Sequence, residues 1–178
     1  QLGIVVANSH GSEFIAACNN NTYIQKYKKN EDYLKNPNIP TASKESWIFD
    51  GPRLNKPEGV SGDFGKHLSA TGDLKKVLIS CTNKVFLYEY SEDAEGVVTW
   101  EQKEDIDLTN VADLEITKDG KSFVAVSSDL DSNGDAQVVC KSLEGDEYKD
   151  IGFDLKHPIS NVGANPTSIS ISNDGENL

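Results

Sequence analysis

Methionine, long apolar runs and positive charge are scarce or missing in this sequence. None of its 178 residues is Met, and the chain begins at Gln1. This predicts a processed protein or a fragment of a longer one, and loss of a signal peptide is one route to such a start. No apolar run approaches the ~20 residues that cross a bilayer, so we expect no membrane insertion.

Basic residues are outnumbered by acidic ones. Lys and Arg total 17 against 29 Asp and Glu, a formal net charge of −12. Nucleic-acid backbones and anionic lipids bind to positively charged surfaces, so the sequence predicts no nucleic-acid partner. An acidic surface favours cationic protein partners or divalent ions instead.

Cysteines are few and scattered, at Cys18, Cys81 and Cys140. The absence of any Cys-x-x-Cys pair argues against a zinc site, and three cysteines are too few for a disulfide scaffold. Cys18 and Cys81 each end an apolar strand, as expected of small buried residues. A Cys18–Cys81 disulfide stays open on this pattern.

Short apolar strands and tight turns repeat along the chain, most clearly over residues 64–90. Alternation of apolar and polar residues at 22–27 and 85–90 predicts half-buried strands. Glycine supplies the positive φ that hairpin turns require. The repeat spacing is typical of four-stranded propeller blades, which run to about 40–50 residues. Turn glycines of this kind stand at Gly11, Gly72, Gly120 and Gly175.

We therefore predict an all-β fold, a β-propeller-like repeat of four-stranded antiparallel blades. The chain, 1–178, would be one incomplete propeller segment with blade units at 3–63, 64–110 and 111–160 and a truncated unit at 161–178. A closed propeller needs at least ~4 blades. The missing blades would come from further sequence or from other chains.

Two short motifs carry a resemblance to known repeats. The pattern of Phe64, Gly65, Ser69, Gly72 and Asp73 before an apolar strand resembles integrin-like FG-GAP and WD40-like propeller repeats. A second motif is similar to the strand core that many propeller families share, although no Trp-Asp or Gly-His pair is present. It consists of Ile116, Asp119, Gly120, Phe123, Val124, Ala125 and Val126.

Residues 28–63 interrupt the repeat with four prolines, Pro37, Pro40, Pro52 and Pro57. Proline cannot donate to a sheet ladder, so most of this stretch should be loop or edge. The apolar island at 47–49 is interpreted as the outer strand of the first blade. The alternative is a binding loop presented from the propeller face.

The acidic loop at 129–135 is the candidate metal site. Oxygen ligands at alternate positions followed by a turn glycine can wrap a calcium ion, and integrin-like repeats carry similar loops. The closing carboxylate is absent, since Gln137 and Cys140 occupy the later positions, so a plain solvated hairpin loop is the alternative. The candidate ligands are Asp129, Asp131, Asn133 and Asp135.

Other candidate positions are less specific. Asn20 heads an Asn-Asn-Thr glycosylation triplet in a predicted link between strands. The histidines His10, His67 and His157 share no ligand spacing and are interpreted as surface or half-buried polar residues. No nucleophile elbow or phosphate-binding glycine loop occurs.

The leading functional hypothesis is therefore a non-catalytic propeller module, a protein-interaction or structural scaffold that is not an enzyme. It has no catalytic residue and no cofactor apart from the calcium hypothesis. Its partners would be other proteins, such as the rest of its own propeller or of an assembly. The alternative is part of a propeller hydrolase or lyase whose active site lies across blades. We expect an extracellular or cell-surface location, with the cytoplasm as the alternative.

Overall fold

The fold consists of three antiparallel sheets in a row. A computed structural model describes residues 2–18, 22–31, 46–130, 136–151 and 167–172. The first sheet holds β1 (Leu2–Ala7), β2 (Glu13–Cys18), β3 (Tyr23–Lys29), β4 (Trp47–Phe49) and β5 (Leu54–Asn55); the second holds β6 (Leu68–Ala70), β7 (Lys76–Ser80), β8 (Lys84–Glu92) and β9 (Val98–Asp107); the third holds β10 (Val111–Ile116), β11 (Ser122–Leu130), β12 (Ala136–Glu144) and β13 (Glu147–Asp150).

Each sheet is a meander in which neighbours in sequence are neighbours in space. The strand orders are β1-β2-β3-β4, β6-β7-β8-β9 and β10-β11-β12-β13, and β5 pairs with β3 beside β4. We call these sheets blades 1, 2 and 3. Repeated four-stranded meanders of this kind are the unit of a propeller, so the predicted all-β, propeller-like fold is confirmed.

Apolar side chains from facing blades form the core. One buried cluster joins Ile15 and Ile24 of blade 1 to Val77 and Phe86 of blade 2. A second joins the other face of blade 2 to the inner face of blade 3 around Phe123. Because both faces of blade 2 are covered, β7 reads as a continuous apolar run, Val77 to Ile79, all fully buried.

The first strands β6 and β10 run side by side, and the segment 167–172 continues that series. Ser69 on β6 accepts a hydrogen bond from the Ile116 amide at 3.2 Å. Glu115 on β10 accepts one from the Ile171 amide at 2.8 Å. In a propeller such first strands surround the central axis, and here these contacts link each blade to the next.

The two ends of the blades are built differently. The turn end carries the connections between first and second strands and between third and fourth strands, at 71–75, 93–97, 117–121 and 145–146. The loop end carries the connections into the first strands and between second and third strands, at 56–67, 81–83 and 108–110.

The glycine prediction for the turns is wrong at one position. Gly11 and Gly120 have positive φ, but Gly72 does not, and Leu74 takes the left-handed conformation in its turn with φ 57°. Leu74 is fully buried, so burial of its side chain offsets the cost of that backbone conformation. Blade 2 thus places its left-handed residue two positions later than the glycine suggested.

The strand β3 departs from the predicted half-buried alternation. Ile24, Gln25 and Lys26 are buried in succession. Lys26 lies with its ammonium 2.9 Å from Asp50 and 4.5 Å from the ring centre of Tyr90. Gln25 donates to the backbone oxygens of Lys26 and Gly51. Because both polar groups have partners, each can be buried without an orphaned charge or amide.

The apolar island at 47–49 forms β4, which pairs with β3 as the outer strand that its interpretation predicted. Cys81 and Cys140 are free, buried thiols, so Cys81 makes no disulfide. Burial raises the pKa of each thiol to about 11. Among the described residues, no helix is long and apolar enough to cross a membrane.

Candidate functional site

Equivalent positions on β6 and β10 carry the polar residues of the candidate site. Thr71 and Thr117 open the same turn in successive blades, since each hydroxyl donates to an Asp two residues later. Counting back from these threonines, Ser69 matches Glu115 and His67 matches Asp113.

Ser69 and Glu115, two residues before the turn threonines, make the same kind of contact in both blades. Ser69 and Glu115 each accept a hydrogen bond from a backbone amide on the next first strand, at 3.2 and 2.8 Å. Since these strands do not pair as a ladder, the side chains satisfy amides that would otherwise be unpaired. Ser69 and Glu115 are therefore structural connectors.

His67 and Asp113, four residues before the turn threonines, differ in their hydrogen bonds. Asp113 accepts hydrogen bonds from its neighbour's amide, Leu114, at 2.9 Å, and from the Ile169 amide across the blade boundary at 3.0 Å. The amide that His67 would serve by the same symmetry is that of Leu114, which Asp113 already holds. His67 therefore does not accept the hydrogen bond that would connect its strand to the next first strand.

The imidazole of His67 is left with an unused nitrogen. Its Nε2 atom is buried and has no hydrogen-bond partner among the described residues. Burial and the nearby Lys66 ammonium lower the pKa of His67 below 6.5, and the Asp113 carboxylate and the Val111 backbone act in the opposite direction. The ring is therefore neutral at pH 7, with one nitrogen able to accept a proton.

A cavity of about 220 Å³ opens at the loop end beside His67. His67 itself does not line the cavity, but two lining residues adjoin it: Lys66 precedes it in the chain, and the Val111 backbone is a hydrogen-bond partner of its imidazole. Polar groups dominate this wall, and the buried residue Cys81 contributes to it. The lining residues are Asp63, Lys66, Cys81, Thr82, Asn110 and Val111.

The cavity wall is held by close backbone approach. Gly62 has φ 78°, and a Cβ there would lie 1.6 Å from the Thr82 hydroxyl. Asn110 also takes the left-handed conformation, with φ 46°, and its amide donates to the Thr82 carbonyl at 3.0 Å. Non-glycine residues in that region are uncommon and often mark functional sites.

Asp129, the first predicted calcium ligand, is engaged with this wall. Its Oδ2 accepts hydrogen bonds from the Asn110 amide group at 2.9 Å and from the Thr109 hydroxyl at 3.1 Å. The other predicted ligands, Asp131, Asn133 and Asp135, lie outside the described residues. Calcium binding stays a prediction, and Asp129 is seen to position Asn110.

The remaining predicted positions do not converge on this site. His10 is exposed at the turn end, and His157 and the glycosylation candidate Asn20 lie outside the described residues. Within the described ranges, no three His, Cys, Asp or Glu side chains are placed to hold a metal ion.

A larger cleft of about 360 Å³ lies between blades 2 and 3 at the turn end. Its lysines already have partners: Lys76 donates to the Tyr148 hydroxyl at 3.0 Å, and Lys103 pairs with Glu89 at 3.4 Å. The Tyr148 hydroxyl in turn donates to the Gly120 carbonyl. Charges that are paired in this way are structural, so the loop-end cavity is the better candidate.

Sequence reasoning missed the residues that assemble the site. His67 was interpreted as an ordinary polar residue, and Asp113, Thr82 and Asn110 were not singled out. One signal was present: the residue two places before the threonine of each Thr-x-Asp turn is polar or charged in both repeats, and so is the residue four places before it.

Comparison with solved structures gives propellers that include enzymes. A protein assigned as a 6-phosphogluconolactonase from Bacteroides uniformis aligns with a TM-score of 0.60 at 15% identity, over 98% of this chain and 45% of that one. Its counterpart from Bacteroides fragilis gives 0.58 at 18% identity, with the same coverage. The periplasmic gluconolactonase of Pseudomonas aeruginosa gives 0.54 at 11% identity, over 85% and 39%.

These likenesses establish the propeller-like fold. The β-propeller domain of Cps50 (Swd1) from Myceliophthora thermophila also aligns, with a TM-score of 0.52 at 10% identity, over 80% of this chain and 41% of that one. This chain spans less than half the length of each of these structures. No protein-family model and no curated protein sequence matches it.

The leading functional hypothesis is wrong. A non-catalytic scaffold that is not an enzyme was expected because the sequence shows no catalytic motif. Against it, three of the similar structures carry the names 6-phosphogluconolactonase or gluconolactonase, and the alternative, part of a propeller enzyme, is taken up as a proposal below. A motif is absent because residues on separate blades, 46 positions apart in the case of His67 and Asp113 (113 − 67), form the candidate site. The expectations of protein partners and of an extracellular or cell-surface location stay predictions.

Proposed function

We propose that this chain is part of a β-propeller hydrolase that opens the ring of a sugar lactone. The active site would lie at the loop end, where the first strands of successive blades meet. The observation that carries the proposal is the unpartnered Nε2 of His67, an imidazole whose protonated form is favoured by the charge of the Asp113 carboxylate. The names of the similar structures supply the reaction class.

Ring opening needs a water molecule, a base and a proton donor. The water oxygen forms a bond to the lactone carbonyl carbon while the water gives a proton to His67. The tetrahedral intermediate then collapses, the bond from that carbon to the ring oxygen breaks, and the ring oxygen takes the proton from the imidazolium. Water and lactone become one hydroxy acid, and His67 returns to its neutral form.

The environment of His67 suits this role. Burial lowers its pKa below 6.5, so the imidazole is in the base form at neutral pH. The Asp113 carboxylate stabilises the imidazolium that forms when the proton is taken, because opposite charges attract more strongly in a partly buried site than in bulk water.

Asp113 is a positioning residue in this scheme. Its two oxygens already accept hydrogen bonds from the Leu114 and Ile169 amides, so its orientation is fixed from both sides of a blade boundary. A carboxylate held in this way needs no rearrangement when charge develops nearby.

The rest of the site would come from further blades. We propose that units 3–63, 64–110, 111–160 and 161–178 belong to one closed propeller, since the similar structures are more than twice as long as this chain. The narrower resemblance to FG-GAP or WD40 repeats stays a prediction. Phe64 and Gly65 serve here in packing, with Phe64 fully buried against blade 1.

The proposal is tested by following acid release from glucono-δ-lactone by the native protein, above the spontaneous rate. We expect His67→Asn to lower kcat by about 10²–10⁴, the usual contribution of general acid–base catalysis. His10→Asn removes an exposed histidine at the opposite end and serves as the matched control, with kcat unchanged.

A second readout separates chemistry from folding. The melting temperature of His67→Asn should stay close to that of the native protein, and added imidazole should restore part of its activity. Equal activity of His67→Asn and the native protein, or no lactone hydrolysis by the native protein, would refute the proposed function.

A further inference from the structure

We infer that the cavity beside His67 is a subsite for the hydroxyl groups of an uncharged sugar lactone, and that it discriminates against the phosphorylated form. The inference rests on the proposed function for its reaction. It adds the substrate class, which the names of the similar structures leave divided between phosphorylated and unphosphorylated lactones.

The cavity presents unused donors and acceptors. Within the described residues, the side chains of Asp63, Lys66 and Thr82 make no hydrogen bond or ion pair with other residues. A carboxylate only accepts, an ammonium only donates, and a hydroxyl does both. Since each sugar hydroxyl is both a donor and an acceptor, this mixed set suits several hydroxyls on one ring.

Asn110 adds a fixed acceptor. Its Nδ2 donates to Asp129 at 2.9 Å, which orients the side-chain amide and leaves the carbonyl oxygen for a ligand. Its backbone is tied to Thr82 at 3.0 Å and to Ser128 at 2.8 Å. A binding group locked by such contacts loses little conformational freedom when ligand binds.

The charge of the lining disfavours phosphate. Asp63 and Lys66 carry opposite charges, so the net charge of the side chains that line the cavity is zero. Just outside the lining, Lys56 donates to the Gly62 carbonyl at 3.1 Å and Asp129 accepts from Asn110 at 2.9 Å, so these two charges also cancel, and the whole chain carries −12. Phosphate sites gather cationic side chains or several amides around the anion, and the described wall offers one lysine opposed by one carboxylate.

The size of the cavity matches a small ligand. Pockets for drug-sized molecules usually measure about 300–1,000 Å³, and this one holds about 220 Å³. A single sugar ring is the natural occupant on that scale. Lys66 and Val111, which line the cavity, adjoin His67 in the chain and through the Val111 backbone.

Binding of an unreactive polyol tests the subsite without depending on turnover. The probe is 1,5-anhydroglucitol, which has the sugar ring and hydroxyls and lacks the lactone carbonyl, with its 6-phosphate as comparison. Calorimetry on the native protein should show binding of the polyol at least tenfold tighter than that of its phosphate.

Matched variants locate the binding. Asp63→Asn and Thr82→Val should each weaken polyol binding at least fivefold, and Asp63→Asn should narrow the preference over the phosphate. Asp146→Asn makes the same charge change on an exposed residue at the turn end and should leave binding unchanged. His67→Asn should keep polyol binding within about twofold.

The outcomes separate the two claims. Native-like binding by Asp63→Asn and Thr82→Val, or tighter binding of the phosphate by the native protein, overturns the subsite even if His67 proves catalytic. Loss of polyol binding in these variants, together with undiminished lactone hydrolysis by His67→Asn, supports the subsite and overturns the proposed role of His67.

Discussion

The turn end and the loop end of the same blades follow opposite rules. At the turn end, blades 2 and 3 repeat one design: the Thr71 and Thr117 hydroxyls donate to Asp73 and Asp119 at 2.6 and 2.8 Å. In both turns the same Asp oxygen also accepts a backbone amide at 3.0 Å. Polar groups there are satisfied within the turn itself.

At the loop end the blades differ and polar groups are left over. His67 and Asp113 occupy equivalent positions, yet Asp113 has two amide partners and the Nε2 of His67 has none among the described residues. A buried polar atom without a partner costs free energy. The repeated, fully hydrogen-bonded turns indicate that the turn end serves stability. The polar groups without partners indicate that the loop end serves function.

The largest expected effect is at the loop end, where two glycines provide a matched pair. Gly59 and Gly62 have φ of 77° and 78°, but a Cβ at Gly59 meets nothing within 4 Å, whereas one at Gly62 overlaps the Thr82 side chain. Both alanine variants should lose ~1–2 kcal/mol of the free energy of unfolding because of the left-handed conformation. Gly62→Ala should lose a further ~1–3 kcal/mol because of overpacking.

Urea denaturation of the two variants measures the free energy of unfolding directly. Equal losses for Gly59→Ala and Gly62→Ala would mean that the 56–67 loop is not held against Thr82. That result would also remove the rigid wall on which the cavity depends.

A second pair compares glycines at the turn end. Gly120→Ala should lower the free energy of unfolding by about 2 kcal/mol, since Gly120 has φ 71° and its Cβ would lie 2.8 Å from a Thr71 methyl group. Gly72→Ala should cost less than about 0.5 kcal/mol, because its φ is not left-handed and its nearest contact is 3.6 Å. Thermal melts rank the two, and a larger loss for Gly72→Ala would contradict the assignment of the left-handed position to Leu74.

The turn end is also the end that sequence predicts best. Local sequence patterns locate its turns. Asp119 and Gly120, for example, lie between the alternating residues of β10 and the apolar residues of β11. Leu74 escaped prediction because its burial is a tertiary effect that overrides the local preference for glycine. Equivalent turns were therefore aligned on Gly72.

The loop-end site could not be read from the sequence because its contacts cross blades. Asp113 holds the Ile169 amide, 56 residues away, and it also holds the Leu114 amide that would otherwise fall to His67. No local spacing encodes that exchange. An isolated histidine on an alternating strand is ordinarily a half-buried polar residue, and only the fold shows that its Nε2 is unpartnered.

A smaller effect is expected from Asp119 in acid. The Lys121 amide and the Thr117 hydroxyl lower the pKa of Asp119 below 3.8, against a weaker effect of burial. The folded state therefore binds the proton less readily than the unfolded state, so this stabilisation is present above pH 3.8 and is lost as pH falls through the lowered pKa. Asp119→Asn should cost about 1 kcal/mol at pH 7 and less near pH 3. A loss that does not shrink in acid would contradict the turn hydrogen bonds as its cause.

The smallest effect concerns His67 and has the opposite origin. Its pKa is lowered chiefly by burial, so the folded state resists protonation and the unfolded state, with an ordinary pKa of 6.5, takes the proton first. Stability is then complete above pH 6.5 and declines as pH falls from 6.5 through the lowered pKa. His67→Gln should flatten this decline, and His10→Gln should not. Melting temperatures from pH 7.5 to 5 measure the slope. An unchanged slope in His67→Gln would show that the imidazole of the folded protein is protonated without loss of stability. Burial would then not distinguish His67 at the loop end from an ordinary polar group at the turn end.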